Sequence, residues 1–283
     1  MIQETLKDDL FRKFSALVYE TAGIHLHEGK KALLQARLSK RLRATGIKTF
    51  KEYYDFITKP ENVAEFIHFL DAISTNLTYF FREEQHFRFL ESRALPEIVE
   101  VKKKEGSRRV RMWSAGCSTG EEPYSIAMCV LEFFEKKTPE IRWDFKLLAT
   151  DISTRVLQTA IRGLYSKEKV ERVPAPLRTK YFKKVQGSNA GEYVYEVAPI
   201  LKEVTVFRRL NLKDPYPFHG PFEVIFCRNV MIYFDKPTQQ ELIQRMTSYL
   251  SPGGYFMVGH SESLAGLSHG LKYIQPAVYK KLS

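Results

Sequence analysis

Val110-Arg-Met-Trp-Ser-Ala-Gly-Cys-Ser-Thr-Gly-Glu-Glu-Pro-Tyr124 is the stretch from which the fold is read. Val110 to Ser114 predict a short strand and Ala115 to Gly120 a turn of small residues. From Glu121 a helix is predicted with Pro123 in its first turn, where a missing N–H does no harm. Small residues in such a turn let a ligand approach the backbone, and the helix start behind it offers unpaired N–H groups and positive potential. Gly116 and Gly120 do not make the G-x-G-x-x-G spacing of a dinucleotide fold, so the turn alone names no ligand. Two roles stand open for Glu122. Thr119-Gly-Glu-Glu122 fits a capping box that serves only the helix start, while a pair of acids at a strand-end turn also fits a binding role.

Downstream of this unit the pattern repeats. Phe145 to Ala149 predict a strand ending at Asp151, Ser153 to Ile161 a helix, Phe222 to Cys227 a strand, Thr238 to Leu250 a helix and Tyr255 to Val258 a strand. Such alternation implies an α/β domain with parallel strands and helices on both faces. Tyr273-Ile274 and Val278 to Leu282 add a terminal hairpin. Between Tyr181 and Asn211 the pattern breaks: Tyr193-Val-Tyr-Glu-Val and Val204-Thr-Val-Phe alternate like antiparallel strands around Gly187 to Gly191, which predicts a small β-insert.

Upstream, the chain reads as helices. Leu10, Phe14, Leu17 and Val18 recur at helical spacing before Gly23, a second helix runs from about Lys30 to Ala44 before Gly46, and two more follow before Ser74. Positions 29 to 51 hold eight Lys or Arg and no Asp or Glu, a block read either as a solvated face or as a docking surface. At about 100° per residue, Lys30, Arg37 and Arg41 share an arc beside the core-facing row Leu34, Leu38 and Leu42, which predicts a basic stripe oriented toward solvent. Ser74 to Arg82 mixes capping residues with three consecutive aromatics that could plug a joint between domains, and a helix from Glu84 to Lys104 leads toward the opening strand.

The totals set limits. At 283 residues and 44% hydrophobic content the chain has room for a large and a small domain. No apolar run approaches the roughly 20 residues needed to span a bilayer, and the N-terminus lacks the pattern of a signal peptide, so a cytoplasmic location is expected. Cys117, Cys129 and Cys227 form no C-x-x-C pair, so neither a disulfide framework nor a metal site is expected. A net charge of +11 favours an acidic partner without choosing among nucleic acid, membrane surface and protein.

In an open α/β sheet, ligands bind outside the carboxyl ends of the strands, where this chain places the Gly116 turn, Asp151 and Arg228-Asn229. Asp151 could accept hydrogen bonds from ribose hydroxyls or merely cap the helix that starts near Ser153. Six phrases then resemble one family, the chemotaxis receptor glutamate methyltransferases of CheR type. They are Asn76-Leu-Thr-Tyr-Phe-Phe-Arg82, Trp113 to Ser125, Ala149-Thr-Asp-Ile152, Asn211-Leu212, Phe226 to Asp235 and Gly259-His-Ser-Glu262. The resemblance covers nearly the whole chain. Family members often carry Ala where this chain has Gly116 and Cys117, a change between small residues.

The resemblance implies an all-helical N-terminal domain over 1–75 and a linker with a connecting helix over 76–106. Residues 107–283 would then form a class I S-adenosylmethionine-dependent methyltransferase domain, Rossmann-like, with an antiparallel β-subdomain over about 181–211. It implies that S-adenosyl-L-methionine is held by Asn76, Thr78, Arg82, Glu122, Asp151, Asn211, Leu212, Arg228 and Asn229, with Arg82 and Tyr233 nearest the substrate carboxylate. The product would be S-adenosyl-L-homocysteine. The partners would be cytoplasmic helices of methyl-accepting chemoreceptors, docked on the basic helix of about 30–44 and on the β-subdomain. The enzyme is expected to be monomeric, with no nucleic-acid partner and no membrane insertion.

The chemistry agrees with the residues independently. A glutamate with a pKa near 4.3 is already an anionic nucleophile at neutral pH, so methylating it requires positioning and dehydration, not a base or a metal. Two rival readings use the same fold. A nucleic-acid methyltransferase would suit the charge, but the third strand ends in Arg-Asn-Val-Met-Ile-Tyr and not in an Asn-Pro-Pro-Tyr type phrase. The second rival is a non-catalytic adaptor that binds S-adenosylmethionine and recruits a partner, against which intact Arg82, Glu122, Asp151 and Tyr233 speak.

Overall fold

The computed structural model describes residues 4–187, 191 and 193–282. Four helices come first, α1 (Asp8–Ala22), α2 (Lys31–Thr45), α3 (Phe50–Ile57) and α4 (Val63–Ile73). In α1 the buried Phe11, Phe14, Val18 and Ala22 fall on one face, and the helix stops at Gly23, whose φ of 73° suits a residue without a side chain. The α3 helix opens with a capping box, Thr49 and Glu52 each bonding the other's backbone N–H. Leu34, Leu38 and Leu42 of α2 join Phe14, Tyr53 and Phe69 in a core separate from that of the sheet. Next come α5 (Gln85–Phe89) and α6 (Leu95–Lys104), joined by a π-helical turn over Leu90–Ala94.

The remainder is built on β1 (Arg109–Ala115), α7 (Glu121–Lys137), β2 (Asp144–Asp151), α8 (Thr154–Arg162), β3 (Leu164–Tyr165), α9 (Lys167–Val170), α10 (Ala175–Tyr181), β4 (Phe182–Gln186), β5 (Tyr193–Val197), α11 (Pro199–Val204), β6 (Thr205–Arg209), β7 (Phe222–Cys227), α12 (Lys236–Ser248), β8 (Leu250–Val258), β9 (Leu271–Gln275) and β10 (Val278–Lys281). Seven strands form one sheet in the order β6-β2-β1-β7-β8-β10-β9. The first five are parallel, and the β9–β10 hairpin adds antiparallel to β8. Alternate residues feed opposite cores: Val224, Phe226, Tyr255 and Met257 join the layer of α6 and α7, while Ile225, Cys227, Phe256 and Val258 join that of α12.

The register decides where function can sit. Ala115 pairs with Thr150 and with Cys227, and Cys227 pairs with Val258. The residues next in line, Gly116, Asp151, Arg228 and Gly259, therefore stand side by side at the carboxyl edge.

One expectation needs correction. Val204 to Phe207 is not a strand of the β-insert, because β6 pairs parallel with β2 at the edge of the main sheet. Only one side of β6 faces the core, so its burial alternates in the way an antiparallel strand's would. The small antiparallel sheet is β3-β5-β4 and so begins at Leu164, upstream of the expected boundary. Of the turn expected around Gly187 to Gly191, residues 188–190 lie outside the described residues. Phe80 of the linker packs edge-on against Tyr165 and Phe182, so this aromatic plugs the seam with the small sheet.

Candidate functional site

The turn after β1 is shaped by two glycines. Gly116 has φ of 76°, and a Cβ there would stand 2.3 Å from Val230; at Gly120, φ 95°, a Cβ would meet Ala160 at 2.8 Å. With Gly120 as the helix N-cap residue, no capping box forms on α7. Thr119 Oγ1 donates to Glu121 at 2.6 Å, and Glu121 is buried against Lys169 at 2.5 Å. Glu122 turns the other way. Ser114 Oγ donates to its Oε1 at 2.7 Å and Arg228 Nη1 to its Oε2 at 3.0 Å, which rejects the helix-capping role.

Asp151 also faces the turn. The Ser118 N–H donates to Oδ2 at 2.8 Å and the Ser153 N–H to Oδ1 at 2.9 Å, while Ser153 itself caps α8 through the Val156 N–H. Burial raises the Asp151 carboxyl above its usual range, opposed by these backbone donors. Glu122 is likewise raised by burial, opposed by the Arg228 charge.

Arg228, its side chain 1% exposed, is the electrostatic centre. Its guanidinium bonds Glu122, Glu83 Oε2 at 3.0 Å and the backbone carbonyl of Arg82, joining the end of β7 to the start of α7 and to the linker. Glu83 further accepts from Asn229 Nδ2 at 3.3 Å and the His260 N–H at 3.1 Å. Burial works against ionisation of Glu83, but Arg228 and these donors hold its pKa below the usual range. Glu262 performs the matching task for the turn after β7, accepting the N–H groups of Asn229 at 2.7 Å, Gly259 at 2.6 Å and Ile232 at 3.2 Å. His86 is buried beside this network and, through desolvation and the Arg228 charge, its pKa falls to about 3, so the ring is neutral. Glu83, His86 and His260 bring potential metal ligands within 4.8 Å of one another, yet Arg228 already occupies the one carboxylate among them.

All ten residues singled out from the sequence, Asn76, Thr78, Arg82, Glu122, Asp151, Asn211, Leu212, Arg228, Asn229 and Tyr233, line one cavity of about 320 Å³. Its apolar wall includes Ile24, Ile73, Ile152 and Val230. A larger cleft of about 1080 Å³ on the far side of the linker includes none of the strand-end residues, so the smaller cavity is the candidate site. The helical domain supplies part of the wall and is fastened to it. Thr154 donates twice to Asp71, at 3.0 and 2.9 Å, the Tyr19 hydroxyl to Asp235 at 2.9 Å, and the His25 N–H to the Tyr233 carbonyl at 2.8 Å. The Asn211 amide donates to the Thr21 carbonyl at 2.7 Å and so braces α1 against the site. Glu83 and Glu262 carried no assigned role in the sequence reading; each stands inside or beside a quoted phrase, but Arg228, the partner of Glu83, and Asn229 and Ile232, partners of Glu262, lie far away in the chain.

The basic arc on α2 differs from its expected orientation. Arg41 makes a two-pronged pair with Glu65, at 2.9 and 2.6 Å, and Arg37 donates to the Ile73 carbonyl and, at 3.2 Å, to Thr75. These two cations tie α2 to α4, which corrects the reading of the arc as a free stripe. The exposed cations here are Lys30, Lys40, Arg43, Lys48 and Lys51. Among the described residues no helix is long and apolar enough to cross a membrane.

Comparison with known proteins agrees with this arrangement. Residues 76–279 match the family model described as CheR methyltransferase, SAM binding domain, and residues 9–74 match CheR methyltransferase, all-alpha domain. A chemotaxis protein methyltransferase of Borreliella burgdorferi is 43% identical, across 97% of this chain and 94% of that protein. Chemotaxis protein methyltransferase 2 of Pseudomonas aeruginosa is 39% identical over 95% and 91%, and the Escherichia coli chemotaxis protein methyltransferase 38% identical over 97% and 91%. With strand-end acids, a glycine turn and both domain matches in one order, the chain belongs to the CheR family of methyltransferases that bind S-adenosylmethionine.

Proposed function

We propose that the protein methylates side-chain carboxylates of glutamates on the cytoplasmic helices of chemoreceptors, forming glutamyl methyl esters. The observation that carries this reading is that Arg82 and Tyr233, two donors suited to a carboxylate, share one cavity with Glu122 and Asp151. The name shared by the relatives supports the receptor as partner.

The cavity suits S-adenosylmethionine in size and in chemistry. Its volume of about 320 Å³ falls in the range of small-ligand pockets. Asp151 offers acceptors for ribose hydroxyls, and Glu122 offers negative charge for a cationic group. When bound, S-adenosylmethionine supplies an electrophilic sulfonium methyl, and transfer to a carboxylate oxygen leaves a neutral thioether. Arg82 presents a planar fork of donors, with Nη1 tethered to the Leu77 carbonyl at 2.8 Å. Tyr233 presents a hydroxyl that can donate without giving up its proton. Both orient an acceptor already ionised at pH 7, so no residue has to remove a proton, and the rate gain comes from alignment and exclusion of water. Lys40 and Arg43 on the open face of α2 steer the acidic receptor helices toward the cavity.

The test is incubation with methyl-labelled S-adenosylmethionine and either receptor-bearing membranes or nucleic acid, followed by mild base. Label on the receptor released as methanol is expected. Base-stable label, or label on nucleic acid, would overturn the reading.

A further inference from the structure

Two large apolar side chains stand open to water at the cavity itself. Leu77 is 73% exposed and Ile232 50% exposed, and both line the cavity beside Arg82 and Tyr233. Of the eleven exposed large hydrophobic residues among those described, the other nine lie outside it. A scattered surface leucine needs no explanation, but a pair flanking the groups that orient the acceptor does. Neither is a loose end of chain. The Leu77 carbonyl holds Arg82 Nη1 at 2.8 Å, and the Ile232 N–H is held by Glu262 at 3.2 Å.

We propose that Leu77 and Ile232 form a specificity rim that reads the residues one helical turn away from the acceptor glutamate, admitting apolar side chains and rejecting charged ones. The proposal rests on the carboxylate-methylation reading above. In a helical acceptor, residues three and four positions from the glutamate share its face, and that face must meet the mouth when the glutamate enters. A charge held there against leucine and isoleucine would lose water and gain no partner. An apolar neighbour would instead take both rim residues out of water and shut the solvent away from the carboxylate. The rim adds what charge cannot supply. With a net charge of +11 the protein attracts any acidic helix, so attraction alone does not choose among its glutamates.

The test uses a receptor cytoplasmic fragment carrying a single acceptor glutamate, with either Ala or Lys four residues to each side. The parent enzyme should favour the Ala-flanked fragment by about tenfold or more in kcat/KM, the order of discrimination a pocket of this kind achieves. Ile232→Glu and Leu77→Glu should each shift the preference toward the Lys-flanked fragment when the two fragments are compared at saturating S-adenosylmethionine, with the dissociation constant for S-adenosylmethionine in each variant measured by calorimetry without receptor. Equal ester formation on both fragments by the parent, or an unshifted preference in both variants, overturns the rim alone. A loss of S-adenosylmethionine affinity that accounts for the whole effect overturns it too, because the two side chains would then belong to the cofactor site. Failure of the parent to form base-labile ester on either fragment overturns the methylation reading and the rim with it.

Discussion

The protein carries two concentrations of charge built on opposite plans. At the strand ends, Glu83, Glu122, Asp151, Arg228 and Glu262 are largely buried, and each is bound to backbone N–H groups or to another charge of the set. On α2, the turn beyond it and the first turn of α3, Lys40, Arg43, Lys48 and Lys51 are exposed. A buried, paired charge fixes geometry and is costly to disturb, whereas an exposed one acts at a distance, weakly and subject to salt. The first plan suits a site that must hold its ligands in one arrangement, and the second suits capture of a partner whose position varies.

The contrast is broken most directly at Arg228. Arg228→Met leaves Glu83 and Glu122 buried without their counter-charge and should cost about 3–5 kcal/mol of folding stability, against at most about 0.5 kcal/mol for Lys40→Glu. Denaturant unfolding of both variants checks this, and equal stabilities would mean the strand-end network is not over-determined. Next in size is Asp151→Ala, which should weaken S-adenosylmethionine binding by about 1–3 kcal/mol in calorimetry while α8 keeps its own cap on Ser153.

The pH dependence sharpens the same point. Burial raises the pKa of Asp151 and of Glu122, so protonation stabilises the empty protein, an effect present at low pH and lost as pH rises through the folded values. Binding has the opposite sign, since it uses the ionised acceptors. Affinity should therefore fall on acidification at a pH above the ordinary carboxylate values of 4.5 and 3.8, and Glu122→Gln should remove part of that slope.

Tyr233→Phe removes one hydroxyl and keeps the ring, so single-turnover transfer should slow by the worth of one hydrogen bond, about 0.5–1.5 kcal/mol, with S-adenosylmethionine affinity retained. The smallest effect belongs to the exposed face. Reversing Lys40 and Arg43 to Glu should raise the receptor KM at low salt by about 0.2–1 kcal/mol per charge, and the difference should fade as salt shortens screening to about 8 Å. Reversing Arg41 should instead destabilise the fold, because it would set Glu against Glu65.

How much of this was legible in the sequence follows the same division. The strand-turn-helix phrase at 110–124 and the polar residues ending three strands were readable because local patterns encode them, and all ten residues named from the sequence meet in one cavity. The resemblance supplied Asn76, Thr78 and Asn211, which no local rule would have chosen. What the sequence hid were partnerships across the chain. Glu83 meets Arg228 across 145 positions, and Glu262 gathers N–H groups from a turn 33 positions upstream. The β6 strand misled because an edge strand of a parallel sheet, covered on one side, alternates as an antiparallel one does. On α2 the helical wheel placed Arg37 and Arg41 correctly beside the leucine row, but it could not show that α4 and Thr75 supply their partners.

The most direct test of the division between a fixed site and a recruiting face is to measure two constants in three variants. The dissociation constant for S-adenosylmethionine and the receptor KM at low salt are determined for Asp151→Ala, for the Lys40→Glu and Arg43→Glu double variant, and for their combination. Asp151→Ala should move only the first constant, the double variant only the second, and the combination should show the sum of both free-energy changes, as expected for sites that share no partners. A double variant that weakens S-adenosylmethionine binding, or a combination whose effects are far from additive, would contradict that division.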